Sequence, residues 1–151
     1  MTLYWRLDSH VNNDPDQMKL LPEFLAGIAY VIRRAEALKI RDKLVVVIQS
    51  EMGRTPIYNK QNRKDHWSIG SIMFLGPRIK GYWVIGTTDE KQFYVPLDPK
   101  TLKVEKAKGI RTRPEHIHEA LREYVGIAEH GFCKKFPLGL TEKEKLQGLW
   151  G

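Results

Sequence analysis

A single cysteine, Cys133, occurs among 151 residues, which excludes an internal disulfide and leaves the redox compartment open. Long apolar runs are also lacking. None reaches the roughly 20 residues that span a bilayer, and the opening MTLYWRLDSH has no basic segment followed by an apolar one. As it stands the chain therefore reads as cytoplasmic, with no membrane partner. No Gly-x-Ser-x-Gly, P-loop or dinucleotide fingerprint occurs, so the common signatures of acyl transfer, nucleotide hydrolysis and hydride transfer are missing. Repeats, low-complexity tracts and linkers are absent too, so 1–151 reads as a single unit whose last part, 128–151, is an irregular tail.

What is present suits one soluble domain. An apolar fraction of 42% over 151 residues is enough for a real core and too little chain for two. The formal charge of +7 points to an anionic partner: nucleic acid, an acidic surface, or a phosphorylated or sulfated ligand. The cations form no single block. Arg33 and Arg34 lie in a helical pattern, Arg54, Lys60, Arg63 and Lys64 in a loop, and others between Lys100 and Arg113. A solvated face accounts for most of them. The loop from Glu51 to His66 is the exception, because its cations flank candidate metal ligands.

Periodicity supplies the elements. Thr2 to Leu7 is β-prone, and VNNDPDQMK reads as a turn-rich loop. From Pro22 to about Lys39, the residues Phe24, Leu25, Ile28, Val31, Ile32, Ala35 and Leu38 recur at three and four, which predicts an amphipathic helix with Pro22 in its first turn. A strand follows over Leu44 to Gln49, and its β-branched run Val45 to Ile48 suits burial on both faces of a parallel sheet. Strand, helix and strand in this order predict a right-handed βαβ unit, whose functional groups lie beyond the carboxyl ends of the strands. SIMFLGP and YWVIG read as two further short strands, and QFYVPLD as a hairpin arm or edge strand because of Pro96. Pro114 opens a second helix, Glu115 to about Val125, with Ile117, Leu121, Tyr124 and Val125 inward and Gly126 as its stop.

Asp8, His10 and Glu51 fall at the expected strand ends. In an extended segment residues i and i+2 face the same side, so Asp8 and His10 can reach one ion; the same pair serves equally as a loop cap beside an exposed imidazole. Glu51 precedes Gly53, which permits a sharp turn beside a bound ion, although a capping carboxylate would also sit there. Asp65-His66-Trp67 closes the loop, either as part of a site or as a surface pair with Trp67 packing. Taken together, these nitrogen and oxygen donors suit Zn²⁺ or Mn²⁺ better than Ca²⁺. His116 and His118 are two apart on a helix and do not share a face, and His130 with Cys133 is too sparse for a zinc site. Ser50, Thr55 and Ser68 lie near the candidate ligands, but none has a nearby general base.

In this order, LDSHVNND, LVVVIQSEMGRTP, RKDHWS, FLGPRIKGYWVIGTTDE and RPEHIHEALREYVGI resemble the C-terminal half of a sulfatase-like branch of the alkaline phosphatase superfamily. That branch reads W-D-T-H-S-N, then S-E-F-G-R-T-P, G-R-D-H-W and G-G-x-K-G-G-x-x-x-G-x-T-D, and the likeness runs from Trp5 to about Ile127. The resemblance implies an α/β fold, a partial alkaline-phosphatase-like sandwich with a mostly parallel sheet, flanking helices and a C-terminal helix. It implies Asp8, His10, Glu51 and His66 as metal ligands, with Arg54, Asp65 and Ser50 binding the anion or supporting the ligands. Met52 stands where the superfamily has a ligand imidazole. Gln61-Asn62 and Gly76-Pro77-Arg78 depart from the glycine-rich pattern of the branch.

No counterpart of the superfamily's first ligand Asp or of its nucleophile is found. The expectation is therefore a metal-binding portion of a phosphate- or sulfate-ester hydrolase, inactive alone, whose full-length relatives would be exported. Its expected partners are a second copy or a chain supplying the N-terminal half, and an anionic ester as ligand. The alternative is a non-enzymatic basic module for nucleic acid or another polyanion, with Tyr58, Trp67, Tyr82 and Trp83 among cations. Against it, those aromatics follow strand periodicity.

Overall fold

The aspartates expected in a turn-rich loop instead open the first helix. In the computed structural model, which describes residues 7–9 and 11–150, helix α1 runs Asn13–Ala37. Asp14 and Asp16 stand in its first turn, where carboxylates offset the positive end of the helix dipole. Pro15 falls in that same turn, where its missing N–H has no intrahelical partner to lose. Pro22 lies within the helix rather than at its start, on an exposed stretch where water can reach the carbonyl it leaves unpaired. Leu20, Phe24, Ile28, Val31 and Ile32 are half-buried and Ala35 is buried, whereas Leu25 and Leu38, expected inward, are exposed.

A 3₁₀ turn, Arg41–Lys43, leads into strand β1, Val46–Gln49, which pairs with β4, Ile72–Leu75. Between them lie β2, Gly53–Arg54, and β3, His66–Trp67, paired with each other. Farther on, β5, Thr87–Thr88, pairs with β6, Tyr94–Val95, which is the hairpin arm expected around Pro96. Helix α2, Pro114–Tyr124, and the five-residue α3, Gly131–Lys135, complete the elements. Gly126 ends α2 in the left-handed conformation, at φ 74°.

The parallel sandwich is not found. Among the described residues every strand pair is antiparallel and every sheet has two strands, so the partial alkaline-phosphatase-like sandwich is corrected. The apolar run of β1 explains the misreading, since four β-branched residues fit a parallel strand or an antiparallel ribbon equally well. Here β1 alternates half-buried and exposed along Val46, Val47, Ile48 and Gln49, the pattern of a ribbon covered on one side. The strand expected over Thr2–Leu7 as its parallel neighbour lies, apart from Leu7, outside the described residues. Tyr82–Gly86, expected as a strand, is irregular, and Tyr82 has φ 57°.

Two compact units divide the chain, Met1–Pro77 and Arg78–Gly151. In the second, Leu97, Leu102, Ala120, Leu146 and Leu149 form a buried cluster, with Ile85, Tyr94, Ile110, Ile117 and Trp150 packed on it. Leu97, 1% exposed, exchanges both backbone hydrogen bonds with Ile110, at 3.0 and 2.8 Å. The stretch expected as an irregular tail thus supplies two core leucines. It is also latched to α2: Trp150 Nε1 donates to the Ala120 carbonyl at 3.0 Å, and Lys145 stands 2.8 to 3.8 Å from Glu142, Glu123 and Glu119. The first unit is built differently. Its buried described residues are Ala35 and Ser9, while Met18, Leu21, Leu25, Tyr30, Val47 and Met73 are exposed. A two-stranded ribbon is marginal by itself, and contiguous apolar exposure favours association. Light scattering across protein concentrations should give an apparent mass that rises above the 17.6 kDa of one chain. A constant mass at 17.6 kDa would show that these faces stay solvated.

His116 is the buried polar residue of the second unit, 1% exposed. Its Nδ1 accepts the backbone N–H of Arg113 at 2.9 Å, the part a Glu or Gln plays three residues into a capping box. The Nε2, which carries the hydrogen when Nδ1 accepts, is buried without a hydrogen-bond partner among the described residues. Burial holds its pKa below the usual 6.5, with the charge of Arg113 pushing the same way and Glu144 and Glu115 pulling up. The unfolded chain therefore takes the proton first. The stability carried by neutral His116 is complete above pH 6.5 and lost as pH falls below it. His116→Gln, which keeps an acceptor for the cap but cannot titrate, should lie within about 1 kcal/mol of wild type at pH 8 and lose less stability by pH 5 in urea melts.

Candidate functional site

Gly53 decides the local fold. A Cβ at this position would lie 1.8 Å from the Ile69 carbonyl oxygen, so only glycine lets the chain before β2 close on the chain after β3. That closure sets the register: Gly53 faces Trp67, and Arg54 faces His66. Residues directly opposite in an antiparallel pair share a face, which puts the guanidinium and the imidazole side by side. Together with Arg63, Lys64 and Asp65 they line an open cleft of about 400 Å³.

The connecting loop is shaped by Asn59. Its Oδ1 accepts the backbone N–H groups of Gln61 and Arg63 at 2.9 and 3.3 Å, and its Nδ2 donates to Asp65 Oδ1 at 2.8 Å. Backbone bonds Asn59 N to Arg63 O, 2.8 Å, and Asn62 N to Asn59 O, 3.1 Å, close the turn. Thr55 and Asp65 pair across its neck, at 2.9 Å between backbone groups and 3.0 Å from the Asp65 N–H to Thr55 Oγ1. Lys64 Nζ stands 5.0 Å from the centre of the Tyr58 ring. The Tyr58 hydroxyl in turn donates to Asp14 Oδ1 at 2.7 Å, in the first turn of α1. This bond, followed by that from Asn13, holds the Asp14 carboxyl below its usual range and raises the Tyr58 hydroxyl.

Arg54 is held from two directions. Nη1 donates to the Lys64 carbonyl at 3.1 Å and Nη2 to Asp8 Oδ1, in an ion pair that leaves both side chains partly in water. Asp8, Arg54, Asp65 and His66 of the expected set are thereby brought to one neighbourhood. Ser50 and Glu51 are not: both are exposed, they are bonded to each other at 3.1 Å, and they do not line the cleft. His10 lies outside the described residues. Arg63 and Lys64 emerge as cleft residues and Asn59 as their organiser; an Asn two residues before Gln61 in a basic loop was the signal available for such a turn.

Asp8 is engaged by a guanidinium, Glu51 stands outside the cleft, and among the described residues no three His, Cys, Asp or Glu side chains gather as a metal site. Three cationic side chains around one cleft suit an oxyanion instead, because a guanidinium fork and an ammonium stabilise a tetrahedral anion without any other ion. No activated hydroxyl is found among the described residues of the cleft: Thr55 Oγ1 donates to the Ile57 carbonyl at 2.9 Å and accepts from Asp65.

A family model described as "Protein of unknown function (DUF1501)" matches residues 2–106, which covers the cleft, β1 to β6 and α1. No curated protein and no solved structure matches the chain.

The close approach at Gly53 supplies a direct check. In Gly53→Ala, backbone atoms of Ile69 have to move, since 1.8 Å is far inside contact distance. A loss of about 1–3 kcal/mol is expected in urea unfolding, together with loss of any ligand response in the cleft.

Proposed function

The chain belongs to the DUF1501 family, and on that premise we propose that it is the oxyanion-recognising portion of a phosphate- or sulfate-ester-handling protein, with no turnover of its own. The observation that carries this reading is the cleft lined by Arg54, Arg63, Lys64, Asp65 and His66. Arg54 supplies a planar fork for two oxygens, Lys64 and Arg63 supply charge, and His66 supplies a donor on the same face. Asp65, fixed by Asn59, limits the positive charge and favours a ligand that also offers a hydrogen-bond donor, such as a hydroxyl or a protonated phosphate. The ordered motifs that resemble the sulfatase-like branch of the alkaline phosphatase superfamily support an ester as the natural ligand.

Ester hydrolysis needs an attacking group beside the bound phosphorus or sulfur. Ser50 pairs with its neighbour Glu51 outside the cleft and Thr55 is committed to its loop, so this chain binds without cleaving. A second copy or another chain is the natural source of the missing group, and the exposed apolar residues of the first unit support such a partner.

A polyanion reading has one observation in its favour: Tyr82 projects fully into solvent beside Trp83, over which Lys80 Nζ sits at 4.8 Å. The two readings separate by titration. With inorganic phosphate and sulfate, calorimetry should show one site that weakens with added salt and is lost in Arg54→Gln. Chromogenic phosphate and sulfate esters should give no turnover. Phosphate binding that survives Arg54→Gln, or binding only to a single-stranded oligonucleotide, would refute the cleft as the site and favour the polyanion reading.

A further inference from the structure

We propose that Asp8 is an internal competitor for the oxyanion at Arg54, a built-in counter-anion that the ligand has to displace and that sets the cleft's preference for multivalent oxyanions. This rests on the oxyanion reading of the cleft. The two bonds of Arg54 carry the argument. Nη1 goes to the Lys64 carbonyl and Nη2 to Asp8, so the end of the guanidinium fork, where a tetrahedral anion takes two parallel N–H groups, is shared between a loop carbonyl and a carboxylate. The carbonyl orients the fork. The carboxylate occupies one of its oxygen positions.

Asp8 is presented from a tethered segment. Ser9 Oγ donates to Asn13 Oδ1 at 2.9 Å, and Gln17 Nε2 donates to the Leu7 carbonyl at 2.6 Å and to Ser9 Oγ at 3.2 Å. Residues on both sides of Asp8 are thus fixed to the first turns of α1, which keeps its carboxylate at high effective concentration beside Arg54. The pair is nonetheless open to exchange, since the Arg54 and Asp8 side chains are 27% and 45% exposed. An ion pair of that exposure shifts an equilibrium only a few-fold, weak enough for a ligand to replace.

Selectivity follows from what each anion brings. Chloride offers one point charge and regains no more than Asp8 already provides. Phosphate or sulfate replaces the Asp8 oxygen with one of its own and turns the others toward Arg63, Lys64 and His66, which line the same cleft. Removing the Asp8 charge should therefore raise oxyanion affinity and weaken the discrimination against chloride.

Inorganic phosphate is the probe, titrated by calorimetry at low ionic strength into wild type, Asp8→Asn, Arg54→Gln and the double variant, with thermal melts confirming that each is folded. Asp8→Asn should bind phosphate about two- to fivefold more tightly than wild type, the gain shrinking with salt. The double variant should match Arg54→Gln alone, because without the guanidinium there is nothing to compete for. Equal affinity of wild type and Asp8→Asn would overturn the proposal while leaving the cleft as an anion site. Weaker binding by Asp8→Asn would overturn it in favour of Asp8 as an aligner of Arg54. Absence of phosphate binding in both wild type and Asp8→Asn would remove the cleft reading and this inference together.

Discussion

The arrangement of the first unit depends on one close contact, the backbone of Gly53 against the carbonyl of Ile69. Two strands of two residues each have almost no pairing of their own to hold them. What holds β2 to β3 is that the chain on either side of them comes together where no side chain intervenes. Once it does, Arg54 must face His66, because the register of a two-residue ribbon has nowhere else to go. The loop between them then has to turn back within eleven residues, from Thr55 to Asp65. Asn59 makes that turn by taking two backbone N–H groups on its side chain, and the same side chain reaches Asp65. Position in the cleft is thus inherited from a glycine and an asparagine that do not line it.

Much of the site could be read from the chain, and less of the fold. Ser50-Glu51-Met52-Gly53-Arg54 and Asp65-His66-Trp67 mark both walls of the ribbon, since a glycine beside a carboxylate and a polar loop of this length have few structural uses. Arg54 and Asp65 were expected there from the resemblance to the sulfatase-like branch, and both line the cleft. The pairing of Asp8 with Arg54 was not legible, because a salt bridge across 46 positions leaves no trace in local spacing. Glu51 shows the opposite failure: a carboxylate at a strand end looks like a ligand whether it turns into the cleft or, as here, toward Ser50.

Strand direction was the fold's illegible part. Apolar content tells how much of a strand is covered, not which way its neighbour runs, and Val45 to Ile48 satisfied both arrangements. Helix α1 was half legible. Its periodic stretch after Pro22 was clear, but Asp14, Pro15 and Asp16 carry turn chemistry and helix-start chemistry alike, and the helix won because carboxylates and proline both suit an N-terminal first turn. The tail concealed core residues for a simpler reason. Leu146 and Leu149 lie in a lysine- and glutamate-rich stretch with no sustained period, and only the latch of Lys145 and Trp150 onto α2 brings them inside.

Several of the charges around the cleft already have a partner within the protein. Arg54 has Asp8 and a loop carbonyl, Lys64 has the Tyr58 ring, Tyr58 has Asp14, and Asp65 has Asn59. Such an arrangement removes the cost of crowding three cations in the empty state, and it changes what ligand affinity measures. Binding is then an exchange of partners, and its free energy is the difference between what the ligand offers and what these side chains give up. A ligand with one charge and one contact gains little by that exchange. On the proposed oxyanion reading, one that offers several oxygens at tetrahedral spacing would satisfy Arg54, Arg63 and Lys64 at once and recover more than it displaces.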